Sequence, residues 1–173
     1  DEGDGAKHIF LDTKSFAYSP DVCQGGAADA SSCLWGCSNP TYASAKAFDN
    51  VINVWDGWVS NNTTSGWIEY VFPTPKKIVK YTINPRGALS GNPRNWVFEG
   101  FNGSSWVSLD TRSSQTWQYG QTREFIFNND QSFSRYRMNI SSNGGHVEVG
   151  FTEMEMMERF QPQSAGLSQP GKI

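Results

Sequence analysis

Short stretches of alternating apolar and polar positions fill the middle of this chain. Lys76–Asn84 sets Ile78, Val79, Tyr81 and Ile83 among Lys and Thr, a period of two that predicts a half-buried strand. Gly66–Phe72 carries Trp67, Ile68, Tyr70 and Phe72, and predicts a strand broken by Pro73 and Pro75. Asn95–Thr111 predicts a hairpin. Trp96, Phe98 and Phe101 punctuate its first strand, and Trp106, Val107 and Leu109 its second. Asn102-Gly103 lies between them and supplies the positive φ angles of a tight turn. Arg123–Phe127 and Phe133–Ile140 flank an Asn-Asn-Asp turn, and His146–Glu158 predicts the last long strand.

Glu and Met also favour helix, so residues 153–157 alone could be helical, but their place after His-Val-Glu-Val-Gly-Phe favours strand. No other helical period, internal repeat or heptad is visible. Short strands at regular spacing with turn residues between them predict an all-β, antiparallel sandwich. Residues 17–44 are rich in Gly, Ala, Ser and Cys and read as loops, while His8–Phe16 reads as a lead-in strand or ordered arm. The expected division is a loop-rich extension packed on the sandwich over 1–44, the sandwich over 45–160, and a Gln/Pro/Ser/Gly tail over 161–173.

Composition sharpens this picture. The chain has 173 residues, enough for one sandwich with a real core. Only 37% are hydrophobic but 14% are aromatic, seven of them Trp and eleven Phe, so large rings must supply much of the core and some can serve recognition. Net charge is −3, pI is near 5.3, and no basic run occurs, which disfavours nucleic acid and anionic lipid as partners. No apolar run approaches the ~20 residues of a membrane helix.

Cysteine occurs at 23, 33 and 37 only. An odd count leaves one thiol free or pairing with another chain, and one local disulfide suits an extracytoplasmic protein. Zinc is the sharper alternative, but it needs about four ligands and only His8 lies near. Catalytic signatures are missing: no Gly-x-Ser-x-Gly elbow, no zinc-protease His pair, no phosphate-cradling loop. A non-enzyme is expected. Sequons at Asn61, Asn62, Asn102 and Asn139 hint weakly at secretion.

Five motifs in order carry a family resemblance. Ala47-Phe48-Asp49-Asn50, Trp67–Phe72, Gly100–Trp106, Arg135-Tyr136-Arg137 and the Glu-rich Phe151–Met156 together resemble the discoidin domain, or coagulation factor V/VIII type C domain. The match runs from about Ala45 to Glu158. Asn50 stands where the family usually has Gly, and Asn also tolerates that left-handed geometry. Phe101 stands where Ser is common. With no Cys after 37 to staple the two ends, the chain is nearer the family-32 carbohydrate-binding modules.

The resemblance implies a galactose-binding-domain-like jelly roll and a non-catalytic, lectin-like role. It implies a structural calcium held by the carboxylates of Asp49 and Glu153 and the carbonyls of Lys46, Val51 and Thr152. Asp56 stands at the family's Thr or Ser and can still give oxygen. The plain alternative makes Asp49 a loop cap and Glu153 a solvated strand residue. The ligand loop is expected to use Arg86 and Asn92, with Arg94 as the alternative Arg, and His146 from the preceding loop of the last strand. Trp55, Trp117, Tyr119 and Trp35 are the loop aromatics that could stack on a sugar, while Trp58, Trp67, Trp96 and Trp106 read as core and Arg135 and Arg137 as cross-sheet ion pairs. Single-site affinity is expected to be about millimolar to micromolar, near −4 to −8 kcal/mol. Useful binding then needs several copies, in an oligomer or as the recognition part of a larger adhesin, fibre or enzyme, with membrane contact only through surface glycans. Two rival functions remain: a protein-interaction domain with an aromatic contact patch, and, third, a phospholipid-surface binder.

Overall fold

A computed structural model describes residues 17–160. Among these residues the architecture is two facing antiparallel sheets and a small ribbon. The strands are β1 (Ala17–Tyr18), β2 (Ala27–Ala30), β3 (Trp58–Val59), β4 (Gly66–Lys76), β5 (Ile78–Asn84) and β6 (Pro93–Phe101). They continue as β7 (Trp106–Arg112), β8 (Arg123–Ile126), β9 (Phe133–Asn143), β10 (Gly150–Phe151) and β11 (Glu153–Phe160). One sheet runs β2-β4-β9-β6-β7, the other β1-β11-β5-β8, and β3 pairs with β10 as the ribbon. Two short 3-10 helices, Ser44–Phe48 and Leu89–Gly91, are the only helical segments among the described residues.

Inward-facing alternation builds the core. Ile68, Tyr70 and Phe72 of β4, Trp96 and Phe98 of β6, and Tyr136, Met138 and Ile140 of β9 come from one sheet. Ile78, Tyr81 and Ile83 of β5, Phe125 of β8, and Met154 and Met156 of β11 come from the other. Tyr81 stacks across the gap on Phe98 at 4.5 Å and beside Phe125 at 5.1 Å. Its buried hydroxyl donates to Asp110 Oδ2 (2.8 Å) and accepts from Trp96 Nε1 (2.8 Å), while burial pushes the phenol pKa well up. Tyr81→Phe removes one partner from each of two groups. A loss of about 2 kcal/mol, with no change in denaturant slope, is the result expected in urea denaturation.

Several expectations change. Residues 17–44 do not merely pack on the sandwich: β1 extends one sheet and β2 edges the other. The lead-in arm and the tail lie outside the described residues. Pro73 and Pro75 stay within β4, and the ladder with β9 is interrupted there, between Val71 and Lys76. The hairpin tip is not a two-residue turn. Residues 102–105 form a four-residue loop in which Asn102 Oδ1 accepts the N–H groups of Ser104 and Ser105, and only Gly103 has a positive φ. The last strand is not continuous from His146. A loop runs to Val149, the chain bends at Thr152, and the two pieces join different sheets.

Trp58 and Trp96 are core, as expected, but Trp67 and Trp106 are half-buried outside it. Trp67 shares its side of β4 with Glu69, opposite to Ile68. Arg137 lies 4.1 Å over the Trp106 ring. The cross-sheet pairs form as expected: Arg135 Nη2 reaches both oxygens of Glu69 (3.0 and 2.9 Å), and Arg137 Nε reaches Glu99 (2.6 Å).

Candidate functional site

Three loops converge at one end of the sandwich: residues 49–57, 85–92 and 143–149. The Gly87 N–H donates to Val54 O (3.0 Å) and joins the first to the second. Ser90 O accepts from Gly144 N (2.8 Å) and His146 N (3.4 Å) and joins the second to the third. Gly57 lets the first loop lie against the ribbon. Its φ is +138°, and a Cβ there would come within 2.4 Å of Phe151 O.

Inside this cluster sits a half-buried ion pair that is not a hydrogen bond. Arg86 Nη1 stands 3.7 Å from Glu148 Oε2, and that nitrogen is buried without any hydrogen-bond partner. Trp55 is 70% exposed, and the edge of its ring lies against Gly87, the residue after Arg86. His146 is half-buried next to Gly91, and its Nδ1 accepts the Glu148 N–H at 3.3 Å. The site thus offers one unsatisfied cationic donor, one carboxylate and one open aromatic face. Sequence reasoning missed Glu148. Its two-residue spacing from His146, on the opposite parity to buried Val149, was the available signal.

Asn92 is withdrawn from the ligand set. It is 1% exposed and spent on its own loop. Its Oδ1 accepts the Arg86 N–H (2.9 Å), and its Nδ2 donates toward the carbonyls of Arg86, Ala88 and Leu89 at 3.1–3.3 Å. Trp117 is not a free platform either. Its indole N–H donates to Pro93 O (2.7 Å), one face stacks on Trp96, and the Arg123 guanidinium lies 5.2 Å over the ring. It does line a separate cleft of about 250 Å³ with exposed Arg94, Leu89 and Gly144 and half-buried Gln115. Tyr119 is 65% exposed beyond that cleft's lining. The 89–91 turn and Gly144 lie between the two places, so the expected residues divide into two groups: Trp55, Arg86 and His146, and Arg94 and Trp117. Trp35 belongs to neither.

The carboxylates expected to hold calcium lie near one another. Glu153 is not a solvated strand residue: it is 3% exposed, and neither carboxylate oxygen has a hydrogen-bond partner. Burial pushes its pKa up to about 8. The Asn50 N–H partly opposes that rise without reaching hydrogen-bond geometry, and the Asp49 charge adds to it. Asn50 has φ +60°, the left-handed geometry that its place requires. Asp49 Oδ1 accepts the Val51 N–H (3.0 Å), as a loop cap does, while Lys46 Nζ pairs with Asp49 (2.9 Å) and Asp56 (3.3 Å). The Thr152 side chain donates to Pro85 O (3.3 Å), so its carbonyl, not its hydroxyl, is the donor left for a metal. No group of three or more His, Cys, Asp or Glu that could hold a metal occurs among the described residues. A cation here must therefore draw on carbonyls, and calcium accepts that mixture. An orphaned buried carboxylate beside Asp49 fits a divalent cation, with Lys46 as the group that must yield. Cys33 and Cys37 form a disulfide and Cys23 is a buried free thiol, which leaves no cysteine set for zinc.

No protein-family model and no curated protein matches this chain. Solved structures do match. The family 32 carbohydrate-binding module of NanJ from C. perfringens, solved in complex with galactose, superposes with a TM-score of 0.66 at 13% identity, covering 82% of this chain and all of that one. The F5/8 type C domain of a Bacteroides fragilis protein gives 0.67 at 15% identity, covering 82% and 97%. A second Clostridium perfringens family 32 module, solved with GalNAc-β-1,3-galactose, gives 0.66 at 16% identity, covering 80% and 99%. The fold is therefore the discoidin-type β-sandwich.

Proposed function

We propose that this discoidin-fold chain is a non-catalytic carbohydrate-binding module whose primary site is the Trp55–Arg86–Glu148 cluster. The observation that carries the reading is the joining, by the Gly87–Val54 bond, of a partly exposed Arg86–Glu148 pair that is not hydrogen-bonded and a loop with an exposed indole at Trp55. A sugar hydroxyl both donates and accepts, so it can take a hydrogen bond from Arg86 and return one to Glu148. The apolar C–H face of the ring stacks on Trp55. The solved neighbours with galactose or GalNAc-galactose support this ligand class. The disulfide supports an extracytoplasmic setting. Weak single sites then act through several copies, in an oligomer or a longer chain, and through surface glycans where membranes are concerned. A structural calcium at Asp49 and Glu153, with carbonyls of Lys46, Val51 and Thr152, would clamp the 49–57 loop to β11 and so steady Trp55.

Arg86→Ala is expected to weaken binding on a glycan array by roughly 10- to 100-fold, the range for losing a charge-assisted contact, and Trp55→Ala by about 10-fold, the loss of a stacked ring. Unchanged binding by both variants moves the site away from this cluster. The second reading is a protein-interaction surface. It is favoured by Val51, Ile52 and Val147, which are 50%, 61% and 65% exposed on the same loops. A silent array together with concentration-dependent association selects it.

A further inference from the structure

The most exposed large apolar side chain among the described residues is not on those three loops. Trp35 is 73% exposed, at the tip of a loop closed by the Cys33–Cys37 disulfide. Its φ is +60°, a left-handed backbone that a bulky residue adopts only under constraint. Gly36 follows at φ +94°, so the turn already has a residue suited to that geometry. Folding alone gives no reason to hold an indole in water on strained backbone.

The loop around it is firmly built. Leu34 N–H donates to Val59 O (2.7 Å), Ser32 O accepts from the buried Trp58 indole (2.9 Å), and Gly36 N–H closes on Cys33 O (2.9 Å). Tyr42 meets the Trp35 ring edge-on at 5.3 Å, and Asn39 Oδ1 fixes the Tyr42 segment by accepting the N–H groups of Thr41 and Tyr42. Thr41 O accepts the Gly57 N–H (3.1 Å). Tyr42 is one residue from one end of that bond, and Trp55 two residues from the other. The aromatic pair therefore borders the loop that carries Trp55.

We propose that Trp35 and Tyr42 form a second sugar subsite, which stacks on a more distant ring of the same glycan whose end is held at Trp55 and Arg86. The disulfide fixes its position. This rests on the glycan reading above, and it commits the occupant to a linear oligosaccharide because the Thr41–Gly57 bond ties the segment of one aromatic station to the loop of the other. The chain reads more than one residue: Trp55 and Arg86 set which sugar binds, and Trp35 sets how strongly longer chains bind.

The test is a glycan array displaying galactose, N-acetylgalactosamine and uronic acids, each as single residues and as linear oligosaccharides. Wild type is expected to bind the oligosaccharides more tightly than the single residues. Trp35→Ala should leave single-residue binding within about twofold and lose roughly three- to tenfold for the oligosaccharides, the range of one aromatic contact. The Cys33→Ser/Cys37→Ser double variant should do the same, and Trp55→Ala should weaken both classes. Trp35 lies in solvent, so Trp35→Ala folds normally, which an unchanged Tm checks. If Trp35→Ala keeps the full gain with chain length, the second subsite is wrong and the glycan reading stands. If wild type binds no glycan, both fail.

Discussion

In chelator, this protein is expected to lose stability on the order of 4–5 kcal/mol as pH rises from about 4.5 to about 8. The cause is Glu153, whose carboxyl is buried without a partner and holds its proton up to about pH 8. Between the unfolded and folded pKa values the native state binds more protons than the unfolded chain, so stability falls with pH. Below about 4.5 both states are protonated and the penalty vanishes; above about 8 it is complete. Against a typical total of about 5–15 kcal/mol this is a large fraction. Calcium should reverse it. The ion needs the ionised carboxylate, so saturating calcium should flatten the pH slope and add about 2.7 kcal/mol at a hundred times Kd. Thermal melts across this pH range, with chelator and with calcium, check both. Glu153→Gln should remove the slope and the calcium response together. A slope that survives Glu153→Gln belongs to another group.

Asn92→Ala is the second large effect. The side chain satisfies one N–H and shares its two amide hydrogens among three carbonyls in the loop that presents Arg86. Its removal should cost about 3 kcal/mol. A Tm drop of roughly 10 °C follows for a domain of this size. Glycan binding should weaken as well, because the released loop no longer holds Arg86. The comparison with Trp55→Ala separates the two roles: that change should weaken binding at constant Tm. If Asn92→Ala abolishes binding at constant Tm, Asn92 touches the sugar after all.

Much of the sandwich could be read from alternation. In β5, Tyr81 and Ile83 alternate with Lys80 and Thr82, so one face is identified at once, and the motif order pointed to the fold. In β4 the run Trp-Ile-Glu-Tyr-Val-Phe offers apolar residues on both parities. Glu69 marks the outward one, and it carries Trp67 outside the core. The two-residue β1 and β3 are too short for any period to show, and β2 (Ala-Ala-Asp-Ala) has no large apolar residue to mark its inner face. Arg86, Trp55 and His146 are nominated by type and place, and the structure puts them on three loops joined to one another. Asn92 was misread because a loop amide that grips a ligand and one that grips its own backbone have the same sequence. Glu153 stands near Asp49, as the resemblance implies, yet its burial depends on how Thr152 bends the chain between β10 and β11.

The pairing of β1 with β11 has a mechanical consequence. Ala17 and Phe160 are Cα partners, and Tyr18 faces Arg159. Chain entering at residue 17 and chain leaving at residue 160 therefore meet at one pole. Glu153, at the other end of β11, lies about 23 Å away at strand rise. A load applied between these two ends peels a two-residue ladder one bond at a time, a weak geometry. A load between a tether at residue 160 and a ligand at the loop end runs along β11 and shears its whole ladder with β5 at once. The module is compliant between its own ends and stiff along the line from anchor to ligand.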